Sequence, residues 1–286
     1  MKSQFTYIRS ESLEQALDFL ARNGPETSLL AGGTDLMIAI RNGEMFSRYV
    51  LDISRLPEAR VIQLSEGRLQ IGAAATFTEI IRSSVVQASA PVLVSACKCI
   101  GSTQIRNAGT LGGNVANASP AADGIPPLVV HRARALLRTA STERLVPVEE
   151  LVTGPYRTSI QPGEVLIHFL LEPVSATYRH SFQRVARRRA LAIARMSVAA
   201  IASLGTDGIV TDLRLSPGSV TPAPCRMTAA ENHLLGKRPD SELIREAAEM
   251  VSLEMIRQSG IRHSTEYKKP AVEGLVVKAL TELFQE

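Results

Sequence analysis

The chain has 286 residues, enough for one large domain or two to three small ones. Its 45% hydrophobic and 21% charged residues are typical of a globular protein and exclude a wholly disordered chain. The net charge is only +4, tryptophan is absent, and no nucleic-acid-binding motif accompanies the basic residues, so we expect no nucleic-acid partner.

Signals for export, membrane insertion and metal binding are also missing from the sequence. The first residues run into charged positions without the apolar core of a secretory signal, and no apolar run is long enough to span a bilayer. We therefore expect a cytoplasmic protein without a membrane span. The three cysteines, Cys97, Cys99 and Cys225, supply neither a disulfide framework nor the four thiolates of an iron–sulfur cluster. We expect no metal site formed by this chain alone.

The first fifty or so residues predict the order strand, helix, strand, glycine turn, helix and strand. Ser12 to Gln15 is typical of a capping box, and apolar residues follow at helical spacing until Asn23-Gly24. The strands are predicted at residues 5–8, 28–30 and 49–53, and the second helix begins at residues 36–40.

The middle of the chain predicts paired strands at 61–64 and 69–71, helices at 77–82 and 92–100, and further strands at 135–138 and 165–170. Residues 101–124 contain few large side chains, and we expect a long loop there. Loops of this length inside a compact domain are usually functional or disordered.

After Pro173 the pattern changes, and we place a domain boundary near residues 172–177. Residues 197–204 and 210–215 predict two antiparallel strands joined by a turn, and helices are predicted at 228–235, 241–258 and 271–284.

The first candidate site is the segment Leu29-Leu30-Ala31-Gly32-Gly33-Thr34-Asp35, in which a strand ends in two glycines and turns into a helix. Such a turn leaves backbone N–H groups unpaired and directed at one point, which suits a phosphate group. Glycine permits positive φ angles and the close approach of a ligand. The alternative is a plain tight turn capped by Thr34 or Asp35.

The second candidate site is Thr110-Leu111-Gly112-Gly113-Asn114, with Arg106 before it and Asp123 after it. The alternative here is a surface Ω-loop rich in turn-forming residues. Two Gly-Gly turns with a neighbouring hydroxyl group favour a clamp on a diphosphate. Neither turn has the Gly-x-Gly-x-x-Gly spacing of a Rossmann dinucleotide site, so we exclude that fold.

These motifs resemble a known family. Residues 30–36, Gln104 to Asn107, and Thr110 to Asn114 followed by residues 118–123 resemble the FAD-binding medium subunit of the molybdenum hydroxylases. This is the family of xanthine dehydrogenase, carbon monoxide dehydrogenase and nicotinate dehydrogenase. The resemblance extends over nearly the whole chain, including the segment from Phe182 through Ala190 to Ile193.

The resemblance implies an α+β fold with a two-lobed FAD-binding domain of the vanillyl-alcohol-oxidase/molybdenum-hydroxylase type and a smaller C-terminal α/β domain. The FAD-binding domain would cover residues 1–175, with lobes at about 1–56 and 57–175. The C-terminal domain would cover residues 176–286.

The resemblance also implies which residues bind FAD. Leu29 to Leu36 would wrap the FAD diphosphate from the first lobe, and Thr110 to Asn114 would do so from the second lobe. Asp123 would hold a polar group of the cofactor, and Ile100 and Leu166 would pack near the flavin or adenine. The implied residues are Leu29, Leu30, Ala31, Gly32, Gly33, Thr34, Asp35, Leu36, Ile100, Arg106, Asn107, Thr110, Leu111, Gly112, Gly113, Asn114, Asp123, Leu166 and Arg184.

Arg184 occupies a position where the family usually has lysine, and the two cations are not interchangeable. It begins a basic cluster with Arg187, Arg188 and Arg189. The alternative to a cofactor role is therefore a solvated charge in a basic run.

By resemblance, the chain is an oxidoreductase subunit without catalytic residues of its own. Its FAD would take electrons from [2Fe–2S] clusters of a small subunit, fed by a molybdenum-cofactor large subunit, and pass them to NAD⁺ or another acceptor. One alternative is a non-redox nucleotide-binding or assembly protein on the same fold. Another is a flavin oxidase of the vanillyl-alcohol type, although such chains are usually longer.

Overall fold

The N-terminal part of the chain forms a three-stranded parallel sheet. We describe the protein from a computed structural model that defines residues 5–45, 47–188 and 192–284. The elements are β1 (Thr6–Arg9), α1 (Leu13–Asn23), β2 (Thr27–Leu30), α2 (Leu36–Asn42) and β3 (Tyr49–Asp52). β3 lies between β1 and β2 and is parallel to both. The predicted order of elements is confirmed here.

Helix α1 anchors this sheet because its apolar residues share one face. The Ser12 hydroxyl accepts a hydrogen bond from the N–H of Gln15 and thereby caps the helix. Leu13, Leu17 and Leu20 recur at helical spacing and are buried in one core with residues of β3. This packing fixes the end of β2, from which the first glycine turn emerges.

The central part of the chain is built on a five-stranded antiparallel sheet. Its strands are β4 (Ile62–Ser65), β5 (Arg68–Gly72), β6 (Arg134–Arg138), β7 (Glu143–Pro147) and β10 (Val165–Leu171). Their order is β4-β5-β10-β6-β7. A short pair, β8 (Val152–Gly154) and β9 (Arg157–Thr158), stands apart from it.

This part of the described chain also has seven helices. They are α3 (Phe77–Arg82), α4 (Ser84–Ser89), α5 (Pro91–Cys99), α6 (Thr103–Ala108), α7 (Leu111–Asn117), α8 (Ile125–Val130) and α9 (Val148–Leu151). All of them except α6 contribute residues to the largest hydrophobic core, together with the sheet.

The expectation of a long loop over residues 101–124 is wrong. Most of the stretch is helical, in α6 and α7. The Ser102 hydroxyl caps α6 and the Thr110 hydroxyl caps α7, while Leu111 and Val115 are fully buried. Two capped helices this short contain too few apolar residues to produce a helical period, which is why the sequence pattern did not reveal them.

The C-terminal part packs three helices on a three-stranded antiparallel sheet. Its elements are β11 (Arg179–Ala186), β12 (Ala194–Leu204), β13 (Val210–Gly218), α10 (Thr228–Leu234), α11 (Ser241–Ser259) and α12 (Thr265–Phe284). β12 is the central strand, and the predicted pairing with β13 is confirmed. None of the helices in the described part of the chain is long and apolar enough to cross a membrane.

Helix α12 begins earlier than the sequence predicts. We expected its start at residue 271, directly after a proline, but it begins at Thr265 and contains Pro270. The buried apolar positions of the helix begin at Val272, so its first turns lack the pattern that would have revealed them. Proline is also a usual boundary signal, because its ring disfavours a continuous helix.

A cluster of charges connects the central and C-terminal parts. Glu172, just after β10, forms ion pairs with Arg68 at 3.2 Å, Arg132 at 3.3 Å and Arg214 of β13 at 3.2 Å. The Glu172 carbonyl also lies 2.7 Å from Nδ1 of the buried His131. The boundary that we place near residues 172–177 falls next to this cluster, between β10 and β11, and stays a prediction.

Candidate functional site

The first glycine turn, residues 31–35, connects β2 to α2. Gly33 has a φ of +70°, which a side chain would disfavour. Within the described chain, the backbone N–H groups of residues 32–36 donate no hydrogen bond to the protein. Regular bonding resumes with the N–H of Met37, which donates to the Gly33 carbonyl at 3.0 Å. Five successive N–H groups are thus free to bind a ligand.

The second glycine turn, residues 110–114, has the opposite hydrogen-bonding state. Every N–H group in the first turn of α7 already donates to the protein. The pairs are Leu111 N to Ala75 O at 3.1 Å, Gly112 N to Ala73 O at 2.8 Å, Gly113 N to Thr110 Oγ1 at 3.0 Å and Asn114 N to Thr110 O at 3.0 Å. The second turn therefore presents a surface to a ligand but no free N–H groups from residues 111–114.

The two turns lie face to face. A Cβ atom on Gly32 would lie 2.0 Å from the carbonyl oxygen of Ala108 and 2.9 Å from Cα of Gly109, so the two backbones are in contact. A side-chain hydrogen bond of 3.2 Å from Asn117 Nδ2 to Asp35 Oδ1 joins the same segments. A glycine at position 32 is required for this approach.

Both turns line one cavity of about 890 Å³, a volume within the usual range for small-molecule and cofactor sites. Most of the predicted site residues contribute to its walls. They are Leu29, Ala31, Gly32, Gly33, Thr34, Asp35, Leu36, Ile100, Thr110, Gly112, Gly113, Asn114, Asp123, Leu166 and Arg184.

Four predicted residues do not line this cavity. Leu111 is fully buried in the central core, and Leu30 belongs to β2. Asn107 is exposed and accepts a hydrogen bond of 2.6 Å from the Thr78 hydroxyl. The guanidinium of Arg106 donates to the backbone carbonyls of residues 100 and 101 and so fixes the bend before α6. A direct role of these four in ligand binding stays a prediction.

Asp123 and Arg184 form an ion pair inside the cavity, with Oδ2 of Asp123 3.2 Å from Nη1 of Arg184. Asp123 is only 4% exposed, and its Oδ1 has no hydrogen-bond partner in the described structure. Burial raises the pKa of this carboxyl to about 6, and the charge of Arg184 opposes the rise. An unpartnered buried oxygen is unusual and suits a hydrogen-bond donor on a bound ligand.

Arg184 is not the solvated charge that the alternative interpretation describes. Its side chain is only 16% exposed, and besides Asp123 it binds the backbone carbonyls of Cys99 and Ala192. Because Arg184 lies in β11, the C-terminal part of the chain contributes directly to the cavity. Arg189, the last member of the basic cluster, and Ala190 lie outside the described residues.

Several residues of the cavity wall were not predicted from the sequence. Ala73 and Ala74, directly after β5, and Phe77, at the start of α3, line it from the central part of the chain. The run of small residues at 72–75 is a signal that could have been noticed, since small side chains admit a ligand to the backbone. Glu164 also lines the cavity, where it binds Arg144 through 2.6 Å and 2.9 Å contacts, and nothing in the local sequence indicates this.

Comparison with known proteins identifies the family. Residues 3–171 match the model of the FAD binding domain in molybdopterin dehydrogenase, and residues 181–283 match that of the CO dehydrogenase flavoprotein C-terminal domain. The glyceraldehyde dehydrogenase medium chain of Sulfolobus acidocaldarius is 32% identical, with 98% of both chains covered. The xanthine dehydrogenase FAD-binding subunit of Escherichia coli O157:H7 is also 32% identical, with 97% of this chain and 95% of the relative covered.

A solved structure of carbon monoxide dehydrogenase from Hydrogenophaga pseudoflava has the same fold. Its matching chain is 27% identical, and the superposition covers 99% of this chain and 98% of that one with a TM-score of 0.91. The agreement includes both the FAD-binding and the C-terminal regions. The chain therefore belongs to the FAD-binding medium subunits of the molybdenum hydroxylases, and its cofactor is FAD.

Proposed function

We propose that this chain transfers electrons through its FAD, from [2Fe–2S] clusters of a partner subunit to NAD⁺ or another acceptor. The observation that carries the proposal is the set of five successive free N–H groups at residues 32–36, which face a cavity completed by the second glycine turn. Convergent N–H groups of this kind bind the oxygen atoms of phosphates.

The diphosphate of FAD would lie against the first turn. Gly32 allows this turn to pack against residues 108 and 109, and Gly33 allows its positive φ. The Thr34 hydroxyl, which donates to Asp35 Oδ2 at 3.4 Å, would add another donor once turned toward the ligand. The second turn would close the site from the other side by shape, because its own N–H groups are occupied.

The remaining walls suit the other parts of the cofactor. The free Oδ1 of Asp123 would accept a hydrogen bond from a ribityl or ribose hydroxyl, and Arg184 would hold that carboxylate in place. Ile100, Leu166 and Phe77 supply apolar surface for a planar ring. When bound, FAD supplies the redox chemistry, since it accepts electrons one at a time and delivers a pair as hydride.

The other redox centres would belong to partner subunits. The chain has only three cysteines, and the described residues contain no group of three or more His, Cys, Asp or Glu side chains able to hold a metal ion. Its relatives are named medium chains and FAD-binding subunits. We therefore propose a heteromer with a molybdenum-cofactor large subunit and a [2Fe–2S] small subunit.

The test is to isolate the chain from its native source by affinity purification, and separately to prepare it alone with added FAD. We expect the native preparation to contain flavin, iron and molybdenum, and the lone chain to be yellow and to bleach with dithionite. We expect the lone chain to oxidise no purine or N-heterocycle. A colourless chain, or substrate oxidation by the chain alone, would contradict the proposal.

A further inference from the structure

Helix α8 packs against β12 and β13, and the C-terminal sheet holds it at both ends. Ahead of its first turn, Asp123 pairs with Arg184 of β11 at 3.2 Å. At its last turn, Arg214 of β13 donates to the Val130 carbonyl at 3.3 Å and pairs with Glu172 at 3.2 Å. Asp123 and Arg184 line the cavity formed by the two glycine turns (the flavin cavity), whereas Glu172 and Arg214 lie outside its walls.

The backbone of Glu172 is fixed to the end of α8. Its N–H donates to the carbonyl of His131 at 2.9 Å, and its own carbonyl lies 2.7 Å from Nδ1 of the same histidine. His131 follows α8 directly and is fully buried, and burial lowers its pKa to about 4. The neutral ring therefore donates its Nδ1–H to the Glu172 carbonyl. Glu172 moves with α8, and its side chain connects the helix to Arg214.

The sheet carries both arginines at a fixed spacing. Arg214 is in register with Ile201 of β12, which is in register with His180 of β11. Arg184 lies four residues further along β11, which is a distance of about 13 Å along a strand. Helix α8 with its flanking residues advances about 10 Å. The two spans are similar, so each arginine lies opposite one end of the helix.

Between these two polar contacts, the packing is apolar. Val92, Val130, Val174, Ala199 and Ile201 are buried together there. Apolar contacts have no preferred direction and permit packed elements to slide by small amounts. The polar contacts at the two ends of α8 therefore fix the orientation of the sheet on the helix.

We infer that Glu172 is a positioning residue of the flavin site that acts through the C-terminal sheet on Arg184, an inference that rests on the proposed placement of FAD against Asp123. With both contacts present, the sheet is held at two points, and the Arg184 guanidinium is held on the buried carboxylate. Without the Glu172 charge, the sheet can turn about its remaining contact. This movement changes the angle and distance at which Arg184 meets Asp123.

The other partners of Arg214 do not replace Glu172. Asp212 binds Arg214 at 3.0 Å, but it lies on the same strand and orients the guanidinium without connecting it to α8. The carbonyl of Val130 stays in place at 3.3 Å, a single contact with a neutral group. Hydrogen bonds to neutral groups are weaker than those between charged partners.

A charge cluster that only adds stability is the alternative. Arg68 of β5 and Arg132 also pair with Glu172, at 3.2 Å and 3.3 Å, so its carboxylate has partners in the central part as well. A purely structural role predicts that loss of Glu172 weakens folding and leaves the FAD affinity of the folded chain unchanged. A positioning role predicts a loss of affinity that depends on Arg184.

The experiment is a titration of the flavin-free full chain with FAD, followed by the quenching of flavin fluorescence. The test variant is Glu172→Gln, which keeps the size of the side chain and removes its charge. The matched control is Glu254→Gln, because the two glutamate side chains are 28% and 27% exposed and Glu254 pairs with Arg257 of its own helix. Arg184→Ala and the double variant of Glu172→Gln with Arg184→Ala complete the set.

We expect Glu172→Gln to bind FAD about threefold to thirtyfold more weakly, the range typical of substitutions that act on a site through intervening structure. The control should bind FAD as the unaltered chain does. In the Arg184→Ala background, Glu172→Gln should have no further effect on FAD affinity, because the residue through which it acts is already missing.

A second measurement reports the contact itself without FAD. The difference in unfolding free energy between the chain and its Asp123→Asn variant, followed over pH, gives the pKa of this carboxyl. Arg184 of β11, Ser197 of β12 and Cys97 of α5 face Asp123, and the charge of Arg184 lowers its pKa. In the Glu172→Gln background this pKa should be higher by at least about 0.5, since a close opposite charge lowers a carboxyl pKa by about 1 to 3.

Unchanged FAD affinity together with an unchanged Asp123 pKa in Glu172→Gln would overturn the inference and leave the proposed function intact. An equal loss of affinity with and without Arg184 would also overturn it, since Glu172 would then act by another route. If Glu172→Gln does not fold, Glu172→Asp is measured in its place, because its shorter side chain withdraws the carboxylate from Arg214. An unaltered chain that binds no FAD would contradict the proposed function, and the Asp123 titration would still decide the inference.

Discussion

The two glycine turns look alike in the sequence but differ in the structure. At residues 32–36 the backbone N–H groups are free, whereas at residues 111–114 each one is bonded to the protein. Glycine allows close packing in both turns, of Gly32 on residues 108 and 109 and of Gly112 on Ala73, but only the first turn leaves its N–H groups free for a ligand. A repeated motif therefore indicates a shared site, but its two copies need not make the same kind of contact with the ligand.

Among the substitutions that test this difference between the turns, Gly32→Ala should have the largest effect on FAD binding and stability. The new Cβ would meet backbone atoms of Ala108 and Gly109, which cannot move aside as a flexible side chain can. We expect loss of FAD and destabilisation by about 3 kcal/mol, the upper end for overpacking. Flavin absorbance and urea unfolding measure the two effects.

The matched control is Gly274→Ala in α12, where nothing lies within 4 Å of an added Cβ atom. Alanine there should retain FAD and stabilise the helix by up to about 1 kcal/mol. If Gly32→Ala binds FAD as well as this control does, the close contact between the turns is not needed for the site.

Asp123→Asn tests the buried carboxyl of Asp123, which lines the same cavity as the second glycine turn. Burial raises the pKa of Asp123 to about 6 from 3.8, so the folded form of the cofactor-free chain holds a proton that the unfolded form releases. This carboxyl therefore lowers stability progressively as the pH rises from about 4 to about 7, by on the order of 3 kcal/mol in total.

Asparagine does not titrate, so the variant should gain stability relative to the unaltered chain over that pH range. Urea unfolding of both proteins without FAD, at several pH values, measures the difference. A difference that stays constant with pH would show that Asp123 ionises normally in the folded chain.

Gly112→Ala probes the packing role of the second turn. Its Cβ would lie 2.5 Å from Cβ and 2.6 Å from the carbonyl oxygen of Ala73. We expect destabilisation by about 2 kcal/mol, since the overpacking is offset in part by the better helix propensity of alanine. The fraction that remains folded should bind FAD more tightly than Gly32→Ala does, and the reverse order in a flavin titration would contradict the distinction between the turns.

Thr110→Ala should have the smallest effect. It removes the hydroxyl that caps α7 by accepting a hydrogen bond from Gly113 N–H, which typically costs about 1 kcal/mol. Thr110→Ser keeps the hydroxyl and should stay close to the unaltered stability in the same unfolding assay. Equal stability of the alanine and serine variants would show that the cap contributes nothing.

Most strands and the long helices could be predicted from the sequence because their apolar residues recur with a clear period, but β7, β8, β9 and β11 were not predicted. The sequence also identified both turns, since paired glycines beside a hydroxyl are visible locally. The difference between the turns was not predictable, because the acceptors Ala73 and Ala75 come from a segment far from residues 110–114 in the chain. The same holds for Phe77 and for the ion pair of Asp123 with Arg184, which depend on how distant segments pack.

The reach of Arg184 from β11 to Asp123 has a consequence for how this subunit can be divided. A fragment that stops before β11 would keep both glycine turns but would lose the counter-ion of a buried carboxylate and part of the cavity wall. Such a fragment would therefore lack part of the flavin site. A domain exchange with a relative should keep β11, which carries Arg184, together with the segment that carries Asp123.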